Sequence, residues 1–122
     1  MKVSDMMRIK GSALFTAQFD TPLHEALATM AENDMGSVVV MQHGALVGML
    51  TFREVINTVH RKPEAYRALT VGRVMQADPA RCTPETDVDE VRRIMLESHA
   101  RYMPVMDGSV LMGVISFYDV AK

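Results

Sequence analysis

GMLTFRE at residues 48–54 and GVISFYD at residues 113–119 follow one plan: a glycine, two apolar residues, a hydroxyl, a phenylalanine and, three positions after the hydroxyl, a carboxylate. The two stretches lie 65 residues apart, and the same offset pairs Thr21 with Thr86, Glu25 with Glu90, Met30 with Met95, Glu32 with Glu97, Val40 with Val105, Met41 with Met106, Leu46 with Leu111 and Val55 with Val120. Further upstream VSDMM (3–7) answers VGRVM (71–75) at an offset of 68, so the first copy carries three extra residues around IKGSALF (9–15). A chain that repeats itself at a fixed period is built from copies of one supersecondary unit. The expected division is a first repeat over 1–60, a linker RKPEAYRALT at 61–70 and a second repeat over 71–122.

Each copy reads the same way. Thr21-Pro22 predicts an N-cap and a first helical residue, and Leu23, Ala26, Leu27 and Met30 then recur at helical spacing. In the second copy TDVD (86–89) resembles a capping box, and Val88, Val91, Ile94 and Met95 form the apolar stripe. SVVVM and LVGML, rich in β-branched and aliphatic residues, predict a hairpin turning at His43-Gly44; YMPVM and VLMGVIS predict its counterpart, turning at Asp107-Gly108. A second helix is expected from Arg53 to about His60, and only a stub from Phe117. The fold class is α+β, two similar units in one chain.

The 122 residues are 48% hydrophobic and 23% charged, enough for a compact core. No apolar run is long enough for a membrane span, MKVSDMMRIK is not a secretory signal, and a cytoplasmic location is expected. Cys82, the single cysteine, has no internal disulfide partner and reads as a small semi-buried side chain. The formal charge of −2 gives no basic field for nucleic acid and no polybasic membrane patch. HEALA (24–28) begins like a zinc-protease helix, but Ala28 stands where the second histidine belongs, and no Walker loop, G-x-S-x-G elbow or G-x-G-x-x-G is present. Neither catalysis nor a bound metal or cofactor is expected. The twelve methionines read mainly as core filling.

The repeated helix, hairpin, G-x-x-[ST]-x-x-[acid] ending and second helix, each copy preceded by V-x-x-x-M, resemble a tandem cystathionine β-synthase (CBS) domain pair, the stand-alone Bateman module. The resemblance covers essentially the whole chain. It implies two β-α-β-β-α units packed as a pseudo-two-fold pair, regulatory function on a separate partner protein, association into a homodimer through the second helices (Phe52, Ile56 and Val120 here), and binding of an adenine nucleotide or adenosyl compound (AMP, ADP, ATP or S-adenosylmethionine). A structural dimerisation module without a ligand is the alternative.

Ser116 and Asp119 have two readings. A hydroxyl and a carboxylate three positions apart at a helix start form a capping box that satisfies free backbone N–H groups; the family resemblance makes the same pair a grip on the vicinal hydroxyls of a ribose. Thr51 and Glu54 are the first copy's pair, but Glu54 stands where the family has aspartate, and its extra methylene favours capping over ribose binding. The family's crossed arrangement implies that Ser116 and Asp119 face Gly36, Ser37 and Val38, with the strand near Leu14 and Phe15. It implies likewise that Thr51 and Glu54 face Arg101, Tyr102, Met103 and Pro104, with the strand near Ala80. In that arrangement Tyr102 and Met103 offer apolar surface to the adenine and Arg101 is the phosphate candidate.

Overall fold

The computed structural model describes residues 1–11 and 14–121. In chain order it contains α1 (Val3–Lys10), β1 (Thr16–Gln18), α2 (Leu23–Glu32), β2 (Ser37–Gln42), β3 (Ala45–Thr51), α3 (Phe52–Arg61), a 3-10 turn (Tyr66–Ala68), α4 (Val71–Val74), β4 (Gln76–Ala77), α5 (Val88–Ser98), β5 (Tyr102–Asp107), β6 (Val110–Ser116) and α6 (Phe117–Ala121). Two of the three extra residues of the first copy's opening, Ser12 and Ala13, and the last residue of the C-terminal stub, Lys122, lie outside the described residues.

One compact unit is Phe15–Pro79. Its sheet runs in the order β1-β2-β3-β4, with β1 parallel to β2 and the other neighbours antiparallel. The β2–β3 hairpin turns through His43 and Gly44, both at positive φ, as a two-residue hairpin loop requires. Leu23, Ala26 and Met30, the apolar stripe of α2, pack with Val38, Val40 and Leu50 of the sheet and Val71 of α4. The 61–70 stretch is more than a tether: Tyr66 and Leu69 pack on this core.

The other unit is Met1–Leu14 with Ala80–Lys122. Here β5 and β6 form the hairpin, and Cys82 makes a parallel bridge to Val105 that answers the Ala17–Val40 pair of the first unit. Val88, Val91 and Met95 of α5 close over Met103, Val105 and Ile115, with Val3 of α1 and Val120 of α6 completing the core. Even irregularities repeat: a register shift interrupts the hairpins at Val40/Met41 and at Val105/Met106, and Asp34 and His99 end α2 and α5 in the left-handed conformation.

The compact units therefore do not coincide with the sequence copies, whose expected boundaries were 60/61 and 70/71. Each copy's opening segment belongs to the unit built by the other copy. Val3 N–H donates to Thr86 O (2.9 Å) and Val88 N–H to Met1 O (2.9 Å); in the other unit Val71 N–H donates to Thr21 O (2.8 Å) and Leu23 N–H to Leu69 O (2.9 Å). The cause is burial. Helices this short are not stable alone, and Val3 and Val71, both with no exposed surface, need a core that their own copy's neighbouring segment does not supply.

The same exchange explains the glycines of the two opening motifs. A Cβ on Gly48 would fall 2.5 Å from Met75 Sδ and 2.6 Å from Gln76 O, and a Cβ on Gly113 would collide with the Met7 methyl. Both glycines admit the methionine of V-x-x-x-M against the strand.

Three local expectations change. Thr21 is not a cap: Pro22 holds the N-cap of α2, and the Thr21 hydroxyl accepts from Gln18 N–H (3.0 Å). Thr86 likewise accepts from Thr83 N–H (3.0 Å), and the cap of α5 is Asp87, which accepts from Asp89 N–H (2.8 Å). Both threonines close the turn before the helix instead. The second hairpin turns at Gly108-Ser109, one residue later than expected, because Asp107 still pairs with Val110. Finally, Val120, expected on a dimer face, is fully buried in its unit's core, and Val55 packs on the core of the other.

Candidate functional site

The C-terminal end of β6 delivers Ser116 to the start of α6, and the two residues form a full capping box: Ser116 N–H donates to Asp119 Oδ2 (2.8 Å) and Asp119 N–H donates to Ser116 Oγ (3.1 Å). The capping reading is thus present in the structure. It does not use up the pair. Asp119 Oδ1 has no hydrogen bond to any described residue, and the Ser116 hydroxyl, which accepts in the cap, keeps its proton to donate.

Lys10 completes this group. Its ammonium donates to Asp119 Oδ2 (2.6 Å) and to Val114 O (2.7 Å), and the Asp119 side chain is 13% exposed. Burial pushes the Asp119 carboxyl up, but the Lys10 hydrogen bond, the backbone and hydroxyl bonds of Ser116 and the Lys10 charge together hold it below its ordinary value. The site is an ionised carboxylate at a helix start, half covered by a cation.

Thr51 and Glu54 occupy the equivalent position at the start of α3. Here the longer carboxylate curls back further: Glu54 Oε1 accepts from both Thr51 N–H (2.7 Å) and the Thr51 hydroxyl (2.7 Å), while Thr51 Oγ1 accepts from Arg53 N–H (3.2 Å). The hydroxyl proton is committed to the neighbouring acid, so this pair is closed on itself. The expectation that Glu54 suits capping matches this geometry.

The remaining expected site residues fall into both units. In the unit of Ser116, Tyr102 pairs directly opposite Ser116 in the β5–β6 ladder, and the Arg101 carbonyl accepts from Phe117 N–H (2.7 Å) with its side chain exposed. Pro104 is buried opposite Val114, Leu14 is half-buried and Ala80 exposed. In the unit of Thr51, Ser37 is buried opposite Thr51, Gly36 O accepts from Phe52 N–H (3.3 Å), and Phe15 is exposed. Met103 and its counterpart Val38 are fully buried, with their side chains in the core of each unit. Each is the second residue of its strand, and the alternation of side chains puts it on the same core face as Val105 or Val40, two residues on. Cys82 is buried in the position of Ala17, and its thiol is pushed up to about 11 by burial.

Lys10 was not found from the sequence. It lies on the far side of the chain from Asp119, and its only trace is the change of offset from 68 to 65, which marks the first copy's opening as different. In the second copy the chain turns from α4 into β4 at Gln76; in the first, α1 continues to Lys10.

The CBS domain family model matches the chain twice, over residues 3–61 and 71–122. The chain belongs to the CBS domain family. A crystal structure of a CBS-domain protein from Agrobacterium tumefaciens superposes with a TM-score of 0.94 at 29% identity, covering 99% of this chain and 97% of that one. The CBS domain-containing protein CBSX3, mitochondrial, of Arabidopsis thaliana is 27% identical over 98% of this chain; the chain spans 63% of that protein, less than two thirds of its length. A third similar protein, CBSX2, was crystallised in complex with AMP; it shares the fold with a TM-score of 0.80 at 22% identity, covering 98% of this chain and 92% of that one. Among the described residues, no helix of this CBS pair is long and apolar enough to cross a membrane.

Proposed function

We propose that this CBS pair is a regulatory, non-enzymatic module that binds an adenosine-containing ligand and acts on a separate partner protein. The observation that carries the reading is the unpartnered Oδ1 of Asp119 beside the Ser116 hydroxyl. An ionised carboxylate and a hydroxyl at a helix start supply an acceptor and a donor for the vicinal hydroxyls of a ribose. Lys10 and Arg101 add positive charge beside that grip, which favours AMP, ADP or ATP over the sulfonium of S-adenosylmethionine. The AMP-bound neighbour supports the same ligand class. Thr51 and Glu54, closed on each other, make a second ribose grip the weaker of the two.

Titration calorimetry tests the reading. An adenine nucleotide at about a hundred times its dissociation constant is expected to stabilise the fold by about 2.7 kcal/mol. Asp119→Ala is expected to weaken binding about ten-fold or more, and Glu54→Ala to leave it nearly unchanged. Absence of heat for AMP, ADP and ATP at millimolar concentration overturns the proposal.

A second reading, association into a homodimer, rests on α3. Phe52 (54% exposed), Ile56 (65%) and Val59 (40%) recur at helical spacing and leave an apolar stripe in water. A monomer in sedimentation at micromolar concentration, with and without nucleotide, overturns it; an intact dimer in Ile56→Asp removes this stripe as its interface.

A further inference from the structure

The flank of α3 away from Phe52, Ile56 and Val59 borders an open cleft of about 720 Å³, lined by α3, the chain that follows it and α4, all within the Phe15–Pro79 unit. That volume lies within the range of small-molecule sites, roughly 300–1,000 Å³. Leu69 and Val74 give it an apolar part, and Arg61, Lys62 and Arg73 bring three cations to it. None of the three makes an ion pair with a described residue, in a chain whose formal charge is −2.

The one carboxylate lining the cleft, Glu54, has Oε1 turned back onto Thr51. Arg61 and Arg73 sit in the last turns of their helices, where a cation also answers the helix dipole. That effect does not absorb them. A helix end carries about half a charge, and less for the single turn of α4, against three whole cations. After Glu54 and both helix ends are counted, the cleft keeps an excess of roughly one positive charge. The Thr70 hydroxyl, which caps nothing, adds a neutral donor.

We propose that this cleft is a second ligand site, distinct from the Asp119 group, and that it takes a small di- or polyphosphate anion. Two guanidinium forks match adjacent phosphate groups, each able to take two oxygens. A concave site with cations converging from two elements suits a compact anion better than an extended acidic chain, which needs a flat or open track.

Titration of the full chain with inorganic pyrophosphate and triphosphate tests the site. The expected result is saturable binding of one anion per chain, weaker as ionic strength rises. Arg73→Ala is expected to reduce affinity roughly ten-fold. Arg61→Gln serves as the second variant should Arg73→Ala disturb folding, with circular dichroism as the check. Asp119→Ala, in the other unit, is expected to leave pyrophosphate binding unchanged, so loss of the ribose reading and loss of this site are told apart. Arg8→Ala removes an equal charge far from the cleft in sequence. Equal weakening by Arg8→Ala and Arg73→Ala would reduce the effect to general attraction and overturn the proposal, as would no saturable binding at millimolar anion.

Discussion

The starts of α6 and α3 hold the same hydroxyl and the same kind of acid three residues later, yet they present opposite chemistry. At Ser116 the shorter aspartate reaches the backbone N–H with one oxygen and leaves the other uncommitted, while Lys10 charges the site from outside. At Thr51 the longer glutamate reaches both the N–H and the hydroxyl with one oxygen, so no proton remains to offer. One methylene and one lysine separate a potential grip from a structural cap. Repeats of one fold diverge in function through such small changes because the backbone that positions them is already in place.

The comparison can be broken first in the cores. Leu50 and Ile115 are fully buried at equivalent strand positions, and Leu50→Ala and Ile115→Ala are each expected to cost about 2–5 kcal/mol in chemical denaturation. If one substitution proves nearly silent, the units are not energetic equivalents. The glycines sharpen the contrast. A methyl on Gly48 meets backbone Gln76 O, held by the β3–β4 pairing, whereas one on Gly113 meets only the flexible tip of Met7. Gly48→Ala is expected to destabilise by about 1–3 kcal/mol, and Gly113→Ala by under about 1 kcal/mol. Equal melting shifts in calorimetry would contradict that distinction.

Acid titration separates the two helix starts more finely. The folded state holds the Asp119 carboxyl below its ordinary value, so its contribution is complete above the usual carboxylate range and is lost as pH falls through the lowered folded value. Asp119→Asn is expected to flatten the stability profile in this acid window. Lys10→Met, by removing a lowering influence, is expected to move the loss to higher pH. A profile unchanged by both variants would show that the ion pair contributes nothing in solution. A modest effect is expected at Cys82, which fills the position of Ala17: Cys82→Ala is expected to cost about 1 kcal/mol. With its thiol pushed up to about 11, Cys82 in the native chain should react slowly with alkylating agents near neutral pH.

The repeat, the amphipathic helices and the paired hairpins were legible in the sequence because each rests on local periodicity. The apolar stripe Leu23, Ala26, Met30 and its counterpart Val88, Val91, Met95 name their own buried faces, and His43-Gly44 names its turn. The caps were misplaced by one residue because Thr and Asp both accept backbone bonds, and only the entry angle of the chain selects Asp87 over Thr86. That Met103 and Val38 turn their side chains into the cores was not legible, because a strand residue's type does not say which side of the sheet it faces.

Two copies of one hairpin-and-helix unit, belonging to one family, were determined by the order of residues alone, since hydrophobic spacing and turn chemistry act within a few positions. Tertiary structure decided which copy's opening helix joins which core, and what Gly48 and Gly113 confront. Lys10 reaches Asp119 across 109 residues and Val114 across 104. A contact at that separation leaves no periodic mark. It exists because Val3, buried in the second copy's core, carries α1 with it and sets Lys10 down beside the carboxylate.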